Sequence, residues 1–275
     1  MVRSRPIIAR RDDRCAAWRC RAALVLAAAV GFGPAGALDE VPFVTTPQPV
    51  ATAMLRLAAV RPEDTVLDLG SGDGRIVIAA AAQFGARGLG VELSPELVQR
   101  SRDDAARAGV AERAQFRVQD LFETDLSVAT VITMYLLPSL NIKLRPKLLD
   151  LKPGTRIVSH AFTMDDWQAD QFETIDYRTA YLWIIPAKVQ GSWQLADGGE
   201  LQLSQRYQML SGNVRSNGTT QTLVTGAHMN GDQINFSAGG ADYTGKVVGN
   251  KIEGTIKGAK TGTWSATRAA PPAAK

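Results

Sequence analysis

The sequence predicts a doubly wound α/β domain followed by a small all-β barrel or sandwich, and three observations carry that expectation. The first is a short apolar run, Val66, Leu67 and Leu69, closed by three alternate glycines, Gly70, Gly72 and Gly74, and followed by the apolar stretch 76–82. A buried strand, a glycine turn and a buried helix in that order make half of a nucleotide-binding sheet. Glycine suits the turn because a side chain would hold a ligand away from the backbone and disfavour positive φ. The second is a pair of further runs that each end in an acid, 88–91 before Glu92 and 115–118 shortly before Asp120. The third is a change of pattern after Lys188, from solid apolar runs to short alternating segments separated by turns containing Gly, Asn and Asp.

The glycine spacing separates two ligand classes. A dinucleotide fingerprint would put its third glycine at position 75, where the chain has Arg75. The pattern is instead Asp68-x-Gly70-x-Gly72-x-Gly74, which resembles motif I of the class I S-adenosylmethionine (SAM) methyltransferases. That resemblance implies a Rossmann-like sheet of seven strands with SAM as cofactor. Glu92, at the end of the second strand, can accept hydrogen bonds from both ribose hydroxyls, and a bond to a charged group contributes about 1.5–3 kcal/mol. Asp120 ends the third strand where methyltransferases place an acid facing the adenine amine, and Leu93 and Leu121 complete that part of the expected site.

Charge excludes one class of partner. The sequence pI of about 9.2 reads as a nucleic-acid signal until the charges are located. Seven of the 31 basic residues and two of the 27 acidic ones lie in 1–37, which leaves 24 against 25 in the rest of the chain. The body is neutral, so no nucleic-acid partner is expected. Residues 1–37 have the parts of an export signal or N-terminal anchor: an arginine-rich start, the apolar run 22–30, and Ala35-Gly36-Ala37 as a cleavage site. The run is short for a bilayer span, and the positive flank places the body outside the cytoplasm. Periplasmic or envelope-associated localisation is the expectation, with attachment on the cytoplasmic side of the membrane as the alternative. SAM is made inside the cell, so the leader and the cofactor site make conflicting demands. Both cysteines, Cys15 and Cys20, lie in this leader, which removes thiolate chemistry, and only His160 and His228 remain as imidazoles, so no metal site is expected.

The catalytic domain is expected over 38–187. Thr46 is expected to cap a helix that begins with Pro47 and carries Val50, Met54, Leu55, Leu57 and Ala58 on one face. A second reading folds the preceding segment over the cofactor, with Thr45 and Thr46 near its carboxylate. Ser94 and Pro95 start a helix that Gly109 ends. The fourth strand, 130–135, brings Tyr135 to the position facing the transferring methyl group, where an aromatic face suits a cationic sulfonium or methylammonium. Tyr135, and Asn141 one helical turn further, are the candidate catalytic residues. A helix over 140–151 turns Leu144, Leu148 and Leu149 inward, a fifth strand over 155–159 ends beside His160, and a hairpin of two strands completes the sheet edge. His160 is open to two readings, a general base or a structural imidazole.

Val41-Pro42-Phe43-Val44, then 68–77, then Asp120-Leu121-Phe122 are similar to the small seven-strand lysine methyltransferases of the mitochondrial adenine-carrier and ATP-synthase type and their bacterial relatives. This resemblance implies SAM contacts at Thr46, Asp68, Gly70, Ser71, Gly72, Asp73, Gly74, Glu92 and Asp120, and a protein lysine amine as acceptor. Phe43 and Thr45 stand where that family usually has tyrosine and proline. The alternatives are a small-molecule methyltransferase, or a non-catalytic SAM-binding or envelope-interaction protein that relies on its β domain.

That β domain is expected over 189–268, with a tail over 269–275. Leu201, Leu203, Gln205, Tyr207 and Met209 alternate, as do Tyr243, Gly245, Val247 and Gly249, and Asn230-Gly231-Asp232 and Gly249-Asn250 read as hairpin turns. Gly191-Ser192-Trp193 is echoed by Gly262-Thr263-Trp264. Pairing of these first and last strands would close a small barrel or sandwich with both indole rings in its core.

Overall fold

A computed structural model of the chain describes residues 44–216 and 220–269. The expected leader, the segment 38–43 with Phe43, and the end of the tail lie outside them. No helix among the described residues is long and apolar enough to cross a membrane.

The first half is a seven-stranded sheet. Its parallel strands are β1 (Thr65–Leu69), β2 (Arg87–Glu92), β3 (Ala114–Val118), β4 (Val131–Met134) and β5 (Arg156–His160). The closing hairpin is β6 (Gln171–Ile175) and β7 (Arg178–Ile184). The order is β3-β2-β1-β4-β5-β7-β6, with β7 antiparallel to β5 and β6 at the edge. Reversal of the order beside β1 opens a crevice at the carboxyl ends of β1 and β4, the place where open α/β sheets bind ligands.

Four helices cover the two faces: α1 (Gln48–Leu57), α2 (Arg75–Phe84), α3 (Pro95–Arg107) and α4 (Pro138–Leu149). Val50, Met54 and Leu55 of α1 share one core with Ile76 and Ala80 of α2 and with Val66, Val131 and Val158 of the sheet. On the other face Leu144 and Leu148 of α4 pack with Leu67, Leu69, Ile132, Met134 and Ile157. Leu149 is only half-buried, so the inward face of α4 is narrower than its leucines predict. Ser94 caps α3 as expected, its Oγ accepting from the Leu97 amide at 3.3 Å. Thr46 does not cap α1. Pro47 occupies that position with no side-chain bond, and the Thr46 hydroxyl goes to His160 instead.

The second half is a closed barrel of eight strands from β8 (Gly191–Leu195) to β15 (Gly262–Arg268). Its first and last strands pair, with Leu195 opposite Ala266 and Trp193 opposite Arg268. Trp193, Leu201, Leu203, Met229, Ile234, Phe236, Ile252 and Trp264 fill the interior. Among the described residues closure leaves no barrel strand edge free to pair with another chain.

One expected alternation breaks. β9 (Glu200–Arg206) ends before Tyr207, whose φ of 56° turns the chain, and Met209 then starts β10 (Met209–Ser216) more than half exposed. The tip of this hairpin leaves the barrel and packs on the sheet domain. Tyr207 stacks on Trp167 with ring centroids 5.5 Å apart, and Gln208 accepts the Trp167 Nε1–H at 2.9 Å while donating to the Gln168 carbonyl at 2.8 Å. The connection between the halves is buried through Ile185, Ala187 and Val189, and the Ala187 amide donates to the Gly231 carbonyl at 2.8 Å.

Candidate active site

The glycine turn is shaped by its neighbours. Gly70, Gly72 and Gly74 have φ of 74°, 54° and 76°, the region that side chains disfavour. A Cβ on Gly74 would also lie 2.6 Å from the Phe116 ring and 2.8 Å from Ser101 Cβ, so helix α2 can start this close to the sheet only without one. The Gly70 and Ser71 amides both donate to the Val91 carbonyl at 3.0 Å. Glu92 ties β2 to the same loop: Oε2 accepts the Gly72 amide at 3.1 Å, and Oε1 accepts the amides of Leu93 and Ser94 at 2.8 and 3.1 Å. A carboxylate offers about four acceptor positions, so one remains for a ligand hydroxyl.

Thr45, Thr46, Asp68, Gly70, Ser71, Gly72, Asp73 and Tyr135 line one cleft at the ends of β1 and β4. Gly74 is buried behind it. Glu92, Leu93, Asp120 and Leu121 follow along the ends of β2 and β3, where the Gln119 amide donates to the Glu92 carbonyl at 3.0 Å. Asp120 is exposed, and its Oδ1 accepts the Phe122 amide at 2.7 Å, starting a short 3-10 turn. Asn141 is fully buried on α4, so it does not line the cleft. Its Nδ2 reaches the Thr163 carbonyl at 3.3 Å and its Oδ1 has no partner.

Two carboxylates in the cleft differ in environment. Burial pushes the Asp68 carboxyl up to about 7, and the nearby charges of Glu92 and Asp73 add to this against the 2.7 Å bond from Thr133 Oγ1. Asp73 is held below the usual carboxylate range by Arg75, which donates from Nε at 2.9 Å and Nη2 at 2.5 Å. Asp68 has no cationic partner among the described residues, and the buried Ser71 hydroxyl has no partner either. A buried carboxyl whose anion needs a positive charge, beside a glycine cradle and an unsatisfied hydroxyl, fits a ligand with ammonium and carboxylate groups. SAM has both. Asp68, Ser71 and the glycine loop would hold its amino-acid end, and Glu92 and Asp120 its nucleoside end.

On the far side of the cleft Tyr135 lies 4.0 Å from the His160 ring and 6.0 Å from the Phe162 ring, centroid to centroid. Burial, with Arg178 nearby, pushes His160 down to about 4. It is neutral at ordinary pH and is a weak proton acceptor, which disfavours the general-base reading. Three contributors are not among the expected site residues. Thr133 is a lone polar residue in an apolar strand, which is a usable clue; Arg75 stood in plain view beside the glycines; Phe162 gave no sign beyond following His160.

Fold and cleft together define a class I SAM-dependent methyltransferase. Residues 68–171 match the family model described as the ANTKMT methyltransferase domain. A protein-lysine N-methyltransferase of Saccharolobus islandicus is 42% identical over 154 residues, 54% of this chain and 96% of that protein. An adenine nucleotide translocase lysine N-methyltransferase of Mus musculus is 39% identical over 131 residues, 47% of this chain and only 56% of that protein. A crystal structure described as an RNA methyltransferase from Salinibacter ruber, in complex with S-adenosyl-L-homocysteine, is 53% identical, with a TM-score of 0.52, covering 53% of this chain and 96% of that one. The chain belongs to the family of this Saccharolobus islandicus protein-lysine N-methyltransferase, and its cofactor is SAM.

Proposed function

We propose that the acceptor is the side-chain amine of a protein lysine. The observation that carries this is the 42% identity to the Saccharolobus islandicus protein-lysine N-methyltransferase across 96% of that protein. When bound, SAM supplies a methyl group already activated on a sulfonium, so the protein's task is to align and desolvate the amine. Tyr135 and Phe162 offer aromatic faces at the ends of β4 and β5 to an amine that becomes a methylammonium. A neutral His160 beside them adds no positive charge against that group. An apolar approach lowers the pKa of a lysine amine and favours the free base that attacks. The expected leader, 1–37, would make the acceptor an envelope protein.

The Salinibacter ruber structure supports a second reading, an RNA acceptor. The neutral charge of residues 38–275 counts against it, since RNA binding draws on a basic surface. The test is to incubate the full chain with extract and methyl-tritiated SAM, then digest with ribonuclease or protease. Label released by protease and recovered as methyl-lysine supports the lysine reading. Label lost to ribonuclease, or confined to small molecules, sinks it.

A further inference from the structure

We infer that His160 is a positioning residue of the cofactor cleft, a clasp that holds Thr46 and the segment leading into α1 across the open ends of β4 and β5. Thr46 is 95% buried, and its Oγ1 lies 3.0 Å from His160 Nδ1, a contact between residues 114 apart in sequence. Its carbonyl accepts from Arg75 Nη1 at 3.0 Å, and Arg75 is itself paired with Asp73. One side of the leading segment is thus fastened to the glycine loop and the other to the end of β5. Both fastenings are polar, and Thr46, which they share, lines the cleft beside Arg75.

The diversion of the Thr46 hydroxyl has a cost. A threonine at the start of a helix normally satisfies one of the free amides there, and losing such a cap destabilises the helix. Here α1 starts with no side-chain cap, so the hydroxyl is committed to the long-range bond instead. The imidazole also lies against Tyr135, 4.0 Å away between ring centroids. His160 therefore touches a residue of the cofactor wall and a residue of the acceptor side without itself lining the cleft. An imidazole that only filled space would need neither contact.

The test needs no acceptor, so it stands apart from the choice between lysine and RNA. SAM is titrated calorimetrically into the full chain carrying Thr46→Val, His160→Ala, both together, or His160→Asn. Thr46→Val removes only the hydroxyl, and the asparagine side chain can place a polar atom close to the position of Nδ1. Each single loss is expected to weaken SAM binding about 5- to 20-fold, with the double variant no weaker than the worse single one. His160→Asn should recover most of the affinity. Unchanged affinity in Thr46→Val, or losses in the double variant that simply multiply, would overturn the clasp. The valine variant keeps the question open to decision if His160→Ala fails to fold.

Discussion

The two halves bury different things. Among the described residues the sheet domain buries Thr46, Asp64, Asp68, Ser71, Asp73, Ser101, Thr124, Thr133, Asn141, Thr155, Ser159 and His160. The barrel buries one polar side chain, Gln208, and that one faces the sheet domain. Among the described residues the two buried side-chain polar atoms without a partner, Ser71 Oγ and Asn141 Oδ1, are also in the sheet domain. Burying polar groups opposes folding unless they are paired, so a half that keeps so many, with Thr46, Asp68, Ser71 and Asp73 lining one cleft, has been shaped by something other than stability. The barrel interior is aromatic and aliphatic, and its strands close on themselves. It has the composition of a structural body.

The largest expected effect tests that division directly. Trp193 is fully buried where β8 meets β15, its Nε1 donates to the Val189 carbonyl at 2.8 Å, and Arg268 lies over its ring at 4.3 Å. Trp193→Ala is expected to cost about 3–5 kcal/mol of stability, read as a fall in urea midpoint, with SAM affinity unchanged below the transition. A parallel loss of SAM affinity in native conditions would show that the barrel takes part in the site.

Asp68→Asn should do the reverse. It keeps an oxygen to accept from Thr133 and removes the charge, so SAM binding is expected to weaken by about 10- to 100-fold, the value of one bond to a charged group. Stability of the SAM-free protein should rise above pH 7. The Asp68 carboxyl sits at about 7 in the native state against an ordinary value near 3.8, so the folded chain holds a proton that the unfolded chain releases. Stability from this group is therefore lost as pH rises between about 4 and 7. His160 acts in the opposite sense. Its value is depressed to about 4, so its contribution is complete above 6.5 and is lost as pH falls toward 4. The two slopes oppose each other in the wild type. In Asp68→Asn the histidine slope loses this opposition, and urea midpoints should fall more steeply on acidification from about pH 6.5 to about 4.5. Equal slopes in the two proteins would mean that Asp68 is ionised throughout.

What the sequence made legible follows the same division. The glycine turn, the strand ends at Glu92 and Asp120, and closure of the barrel through its first and last strands depend on short-range pattern. The structure agrees with the predicted fold class on both halves. The features that escaped are long-range. Thr46 looked like a cap because nothing local announces a bond to a histidine 114 residues away. Tyr207 looked like an inward strand residue because alternation carries no information about where a hairpin stops. Only its positive φ, together with the stacking surface that Trp167 offers, turns it onto the other half. Asn141 fell one turn from Tyr135 in sequence, but the helix turns it away from the cleft.

The seam between the halves should give an intermediate effect. Gln208→Leu removes the acceptor of the buried Trp167 Nε1–H, and stranding such a donor costs about 1–3 kcal/mol. Trp167 also accepts from Trp183 Nε1 through its carbonyl at 2.9 Å, so the bond network reaches the sheet. The wild type is expected to unfold in one transition and Gln208→Leu in a broader or split one, visible by calorimetry. A single sharp transition merely shifted to lower temperature would mean that the apolar contacts alone couple the halves.

The smallest effect is expected at the rim of that seam. Asp166 receives Arg206 Nη2 at 2.5 Å, the Tyr207 hydroxyl at 3.0 Å and Arg145 Nη1 at 2.6 Å, and Arg206 together with these neighbours holds its carboxyl down to about 2. So full a set of partners looks as though it should matter, but Arg206 is mostly exposed and Asp166 is partly so. Water screens an exposed pair, holding two long side chains together costs entropy, and Arg145 remains when Arg206 is removed. Arg206→Ala should shift the urea midpoint far less than Gln208→Leu does at low salt, and by nothing measurable at about 1 M salt, where screening acts within about 3 Å. The Asp166 carboxyl should move up toward its ordinary value without reaching it, because Arg145 and Tyr207 stay. A loss comparable with that of Gln208→Leu would place the coupling between the halves in this surface cluster and not in the buried Trp167–Gln208 bond.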